Sequence, residues 1–375
     1  MQAILWVALI VLVLVTVLPL LRHGAWWIRG LDFPRLQFAA LALVMVCLPL
    51  WLLDRTAPGT WVMASVALAC LMYQSWWILP YTHLHRQEVR QVRTLTERDR
   101  EQRIAILTAN VLTPNRHADK LLELVRLHQP DLLVTLESDG WWQQQLDLLG
   151  TDYPYSIKCP LDNLYGMHVY SRYPLENEAI QFLVESDVPS MHSEVVLPSG
   201  QRVVVHFLHP APPSPTENET SSERDAELLV VGRSLRECEL PVIVTGDLND
   251  VAWSATTRLF RKISGLLDPR IGRGMFNSFH AKIPLVRWPL DHLFHSDDFV
   301  LEGIRRLPGF GSDHFPMLVR LVYREHARPQ EGLEADAEDR VLASEKIDAE
   351  SVKPSDVHRP ERQRIVLSAP PPLLQ

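Results

Sequence analysis

The chain has 375 residues and a formal net charge of -8, enough length for one large domain or two ordinary ones. The acidic balance excludes a protein that coats nucleic acid through a general basic surface, although a local basic groove stays open. Four cysteines without a Cys-x-x-Cys pair exclude a zinc motif and a disulfide framework, and Cys159 and Cys238 are expected to stay reduced.

Residues 3–21 carry no charge, and about 20 apolar residues suffice to cross a bilayer. Residues 36–53 and 61–79 repeat the pattern, with Trp26, Trp27, Trp51, Trp61, Trp76 and Trp77 near the ends, where an amphipathic ring favours the interface. A cleaved leader fits poorly, because Met1-Gln2 supplies no basic side chain and two more spans follow. Residues 1–81 are therefore expected to form three transmembrane helices, with the lipid bilayer as partner. Arg22, Arg29, Arg35, Arg86, Arg90 and Arg93 would share one side, against Asp54 and Arg55 on the other. The positive-inside rule then expects a multi-pass protein of a bacterial inner membrane with its large domain in the cytoplasm.

Residues 82–103 are polar and free of Gly and Pro, which predicts a helical connector. From 104 the pattern changes to short apolar runs alternating with amphipathic stretches. Strands are predicted over 104–107, 132–136, 169–170, 193–197, 203–208, 242–245 and 315–323, and helices over 117–127 and 223–238. Mixed elements across 104–325 argue for an α/β sheet core with flanking helices. Residues 326–375 lose apolar periodicity, turn acidic and end in a Pro run, which predicts a disordered tail.

The chemistry lies in polar islands at strand ends. Gly246-Asp247-Leu248-Asn249 follows Val242-Ile243-Val244, and Gly311-Ser312-Asp313-His314 precedes Phe315. Glu137 ends the run 132–136, and Asp291 sits inside the apolar run 288–294. Carboxylates are seldom buried unless paired or bound to a metal. Strands that deliver acids and amides to one rim suit divalent-metal phosphoester chemistry. Asp247 and Asn249, two apart, face the same side of an extended segment.

The order Asn110, Glu137, His209, Asp247-Leu248-Asn249, Asp291, Ser312-Asp313-His314 resembles the endonuclease/exonuclease/phosphatase superfamily over residues 104–323. The resemblance implies a deoxyribonuclease I-like four-layered α/β sandwich, here preceded by the three membrane helices. It implies Mg²⁺ or Mn²⁺ held by Glu137, with Asn110 and Asp313 on the metal side. Asp247 would position or deprotonate the attacking water, Asn249 orient the phosphate, and His314 contact it with Asp291 fixing the imidazole. His209 would be the general acid or a phosphate contact, with His206 its competitor.

His168 and His292 read as structural, and Arg172 and Arg224 as either phosphate contacts or ion-pair arginines. The implied substrate is a phosphoester, of nucleic acid or of a lipid headgroup, and no obligate protein partner is evident. Arg258, Arg261, Lys262, Arg270, Arg273, Lys282 and Arg287 suit either substrate. A membrane adaptor that kept the fold and lost catalysis is the alternative from another class.

Overall fold

The computed structural model describes residues 1–325 and 330–358. Its N-terminal region holds helices α1 (Gln2–Val17), α2 (Trp26–Arg29), α3 (Arg35–Leu52) and α4 (Pro58–Ile78). Three helices there are long and apolar enough to cross a membrane: Gln2–Leu21, Arg35–Leu52 and Pro58–Tyr81. They pack on one another through Leu5, Leu9, Leu12, Met45, Met63 and Ala67, while Ile4, Val7, Ile10, Leu43, Val44, Trp61 and Met72 point outward and are exposed. Contiguous apolar surface of this kind marks an interaction with lipid or another apolar partner.

Next come α5 (Glu97–Glu101), β1 (Arg103–Asn110), α6 (Ala118–His128), β2 (Leu132–Leu136), α7 (Gly140–Leu146), β3 (Tyr155–Cys159), β4 (Met167–Ser171) and β5 (Leu175–Gln181). Then follow β6 (Ser190–Val196), β7 (Arg202–Leu208), α8 (Ser222–Ser234), β8 (Val242–Asp247), α9 (Ala255–Ser264), β9 (Asp291–His295), β10 (Phe299–Arg306), β11 (Met317–Tyr323) and α10 (Ala337–Ala349). One sheet runs β10-β11-β1-β2-β4-β3 and the other β5-β6-β7-β8-β9. Their inner faces meet through Ile106, Val134, Val169, Val205, Phe207, Ile243, Leu293 and Val319. Alternate side chains point the other way. Leu107, Leu133 and Leu318 lie under α6 and α7, and Val204, Val242, Val244 and Phe294 under α8, α9 and α10. The result is the expected four-layered α/β sandwich.

Two expectations fail. Residues 82–103 are not a helical connector: their one α-helix is the five-residue α5. Val89 is fully buried in the inter-sheet core. The N–H of Val92 donates to the Leu301 carbonyl (2.9 Å), and that of Leu301 to the Arg90 carbonyl (2.8 Å). A stretch with no apolar stripe gains little from helix packing, whereas the sheet edge and one Val plug satisfy it in extended form. The tail 326–375 is not wholly without structure either. Its α10 carries a capping box between Asp336 and Asp339 and buries Ala343 and Ile347 against the α8/α9 layer. One of the acids that suggested disorder, Asp339, accepts there from Lys262. Residues 326–329 and 359–375, including the Pro run, lie outside the described residues. Strands β3, β5, β9 and β10 and helices α7 and α9 are not foreseen from the sequence.

Candidate active site

Register decides which polar residues meet. In the parallel pair β1/β2, Asn110 lies opposite Leu136, so the next residue, Glu137, comes up beside Asn110. In the parallel pair β7/β8, Leu208 lies opposite Gly246, which sets His209 next to Asp247. In the antiparallel pair β8/β9, Asp247 lies opposite Asp291. Across the sandwich, the Oγ1 atoms of Thr108 and Thr245 are 3.0 Å apart. Two residues further along each strand the same faces carry Asn110 and Asp247, and the Asn110 amide donates to Asp247 Oδ2 at 3.2 Å. One rim therefore gathers residues from both sheets.

Gly246 makes this approach possible. Its φ is +151°, and a Cβ there would lie 1.9 Å from the Leu208 carbonyl oxygen. Gly246→Ala is expected to cost about 3 kcal/mol or more, the upper range for overpacking a filled interior. Urea unfolding of the purified variant checks this, and an unchanged midpoint would contradict the contact.

At the centre His314 Nδ1 lies 2.8 Å from Asp291 Oδ2, and His314 Nε2 lies 3.4 Å from Asp247 Oδ2. Burial alone would lower the His314 pKa, but the two flanking carboxylates outweigh it and push it up to about 10, so the ring is an imidazolium. The loop before β11 is pinned by the Ser312 hydroxyl, which donates to the Asn110 carbonyl (2.8 Å) and accepts from the His314 N–H (3.0 Å). Asp291 is fixed from behind as its N–H donates to Ser278 Oγ at 3.0 Å.

Glu137 sits in left-handed backbone, φ 56°. Its Oε1 accepts from Asn110 at 2.7 Å. Its Oε2 is buried with no partner, as is Asp291 Oδ1. Burial pushes the Glu137 pKa up to about 7, against the Asn110 bond and with help from Asp247 and Asp313. Buried oxygens without partners are costly, and hard carboxylate oxygen is what Mg²⁺ or Mn²⁺ prefers. The residues present therefore fit such an ion. Asp247, Asp291 and His314 also bring one ligand atom each within 4.8 Å of one another. An imidazolium with a carboxylate at each nitrogen already fills that position with a proton, so Glu137 is the better cation ligand. Asp313 is half-buried and makes no hydrogen bond to Glu137; it acts on it only through charge.

His209 is buried, with Nδ1 unpartnered and its ring 5.4 Å from that of Tyr165. Burial lowers its pKa to about 4, so it is neutral. The Asn249 N–H donates to Asp247 Oδ1 (3.0 Å) and its amide to the Pro210 carbonyl (3.0 Å), tying the two motifs together. The competitor His206 points into the other layer and pairs with His192, Nδ1 to Nδ1, at 2.6 Å. His168 bonds Ser138 and Gln143, and His292 bonds Arg270 and the Asp250 carbonyl. Both are structural. Arg172 stacks on Tyr153 away from the rim.

Sequence reasoning left Arg224 open and missed Tyr165, Ser278 and Phe279. Arg224 is buried against Asp225 (2.9 Å) and donates to the Asn249 carbonyl at 2.8 Å. The Phe279 ring lies 4.9 Å from that of His314. Of these only Arg224, a charge at the start of an apolar helix, carried a signal in the sequence.

The rim also touches the N-terminal helices. Trp253 Nε1 donates to the Asp32 carbonyl (2.9 Å), Tyr81 OH to the Ala252 carbonyl (2.6 Å), and Gln37 to the Leu285 carbonyl (2.9 Å). Phe33 packs edge-on against Trp288 at 5.4 Å, and Trp288 stacks on Phe279 at 6.1 Å. Ile78 and Ala39 share one apolar cluster with Val251, Ala252 and Trp253.

Residues 107–314 match the model of the Endonuclease/Exonuclease/phosphatase family. The endonuclease/exonuclease/phosphatase from Beutenbergia cavernae is 15% identical with a TM-score of 0.51, over 64% of this chain and 76% of that one. D. rerio TDP2 complexed with single strand DNA product is 17% identical, TM-score 0.48, over 58% and 98%. The human Nocturnin catalytic domain with bound sulfate anion is 16% identical, TM-score 0.48, over 59% and 95%. At such identity the likeness to the Beutenbergia cavernae protein speaks for the fold alone. No curated protein matches this chain.

Proposed function

The chain belongs to the endonuclease/exonuclease/phosphatase family, and from that premise we propose that it is a membrane-anchored, divalent-metal-dependent phosphoesterase acting on a phosphoester held at the bilayer surface. The observation that carries the last part is the docking of the catalytic rim on the apolar helices: the loop after Asp247 and the segment 279–288 beside His314 both rest on residues 32–81. A nucleic-acid channel has weaker support. Arg261 pairs with Glu88, Arg270 with Asp268 and Lys262 with Asp339, so much of the basic run is neutralised within the protein.

In this reading Glu137, with Asn110 and Asp313, would hold Mg²⁺ or Mn²⁺. A bound divalent ion neutralises phosphoryl charge and helps the leaving oxygen depart. Asp247 orients a water and accepts its proton as the water oxygen attacks phosphorus. His314, kept protonated and oriented by Asp291, holds a phosphoryl oxygen through Nε2, whose present contact to Asp247 is long enough to exchange. His209, being neutral, donates a hydrogen bond rather than a proton, and Asn249 fixes the loop between them.

A hydrolysis screen of the full chain in detergent, with Mg²⁺, Mn²⁺ or EDTA, tests the reading on phosphoinositides, sphingomyelin, DNA and RNA. Metal-dependent hydrolysis of a phospholipid-type ester is the expected result. Faster cleavage of DNA or RNA would overturn the substrate class, and no hydrolysis of any ester would favour the adaptor.

With three spans the Arg-rich ends and the large domain share one side, which the positive-inside rule assigns to the cytoplasm. The protein is expected to stay with membranes through carbonate extraction, and a reporter fluorescent only in the cytoplasm, fused after Tyr323, to light up. Recovery in the soluble fraction without detergent defeats the anchoring, and signal from an export-only reporter reverses the topology.

A further inference from the structure

Behind the active-site loop lies a cavity of about 190 Å³ where three parts of the chain meet. Arg22 and Arg29 reach it from the segment after α1, Arg258 and Lys262 from α9, and Lys346 from α10, against the carboxylates of Asp225 and Asp339. Some of this charge is answered internally. Lys262 pairs with Asp339 at 2.5 Å, Lys346 with Asp225 at 2.7 Å, and Arg29 with Asp32 at 3.4 Å. Arg22 and Arg258 have no carboxylate partner among the described residues. The Arg258 guanidinium lies over the Trp76 ring, 5.0 Å from its centroid, a contact that holds it in place while leaving its N–H groups for an anion. Ala255 and Thr256, the first turn of the ten-residue α9, also line the cavity, adding the positive end of a helix dipole.

Its position in the fold selects the ligand. Trp77 in its wall belongs to the last turn of α4, and Arg22 follows the apolar stretch that begins with α1. Both mark the end of a candidate span on the side of the catalytic domain. We propose that this cavity binds the phosphate of an anionic phospholipid headgroup, as a site separate from the catalytic one. The inference rests on reading α1, α3 and α4 as membrane spans. Ligand pockets for whole small molecules run to about 300–1,000 Å³, so this one suits a headgroup phosphate with the acyl chains left in the bilayer. Asp225 in its wall is linked to the active-site loop through Arg224, which contacts the Asn249 carbonyl and Asp250, and through Thr256, but none of Glu137, Asp247, Asp291 and His314 lines the cavity.

The test is a titration of the full chain in detergent with dioctanoyl phosphatidylglycerol, dioctanoyl phosphatidylcholine or inorganic phosphate, followed by calorimetry. Phosphatidylglycerol is expected to bind tightest. Each of Arg22→Gln and Arg258→Gln should weaken it about fivefold, as one basic side chain near an anionic lipid surface contributes about that factor. Arg22 is exposed, so its loss reads binding without a folding defect. Asp247→Asn should leave the affinity unchanged, which separates this cavity from the catalytic site. Equal binding of phosphatidylcholine, or full affinity in both arginine variants, overturns the proposal. Inorganic phosphate binding as tightly as the phospholipid assigns the cavity to a soluble anion and overturns the lipid source. Recovery of the chain without detergent would remove the membrane premise and with it the lipid source, an outcome told apart from failure of the cavity itself because inorganic phosphate would still report anion binding there.

Discussion

Asp247→Asn and His314→Ala are each expected to lower turnover by on the order of 10²-fold or more, the scale of general acid–base contributions. The first removes the charge proposed to orient the attacking water. The second removes the imidazolium held between Asp291 and Asp247. In the proposed mechanism the two groups act on one phosphorus atom, so the double variant should be scarcely slower than the poorer single one. Both positions lie at the rim of the sheets, so circular dichroism should show an intact fold. Steady-state assay on a generic phosphodiester with saturating Mg²⁺ measures all three. Near wild-type turnover in either single variant, or multiplicative losses in the double, would exclude the proposed chemistry while leaving the fold untouched.

Glu137→Gln is expected to raise the Mg²⁺ concentration for half-maximal activity by about tenfold or more, since it removes the charge on the best-placed hard ligand. Its effect on stability should depend on the metal. Burial already pushes the Glu137 pKa up to about 7, so the charged form is costly without a cation, and the neutral amide should leave the metal-free protein no less stable. With the ion at 100 times its Kd, the wild type should gain about 2.7 kcal/mol, and a variant that binds it about tenfold more weakly should lose about half of that gain. Thermal unfolding with Mg²⁺ and with EDTA reads both signs. An equal Mg²⁺-induced shift in the two proteins would remove Glu137 from the metal site.

Much of the site is legible in the sequence because strand ends announce themselves locally. An apolar run that stops at an acid, as at Val134-Thr135-Leu136-Glu137, needs only its own neighbours to be read. The same holds for the chargeless stretches that become α1, α3 and α4. Register is harder, because it belongs to pairs of strands. That Asp291 supports His314, and that Asn110 reaches Asp247 across two sheets, depends on pairings between residues far apart in sequence.

What the sequence by itself determined is the layered α/β class, the apolar N-terminal region and the roster of acids, amides and histidines at the strand ends. These follow from hydropathy period and from the cost of burying a lone carboxylate, both properties of short segments. Only the tertiary structure decided where weak segments go. Val89 became a core plug rather than a helix position, and Ala343 with Ile347 folded α10 onto α8 and α9. It also turned the loop after Asp247 toward Asp32 and Tyr81. A segment with one or two apolar side chains gains too little alone to fix its conformation, so its partner supplies the deciding free energy.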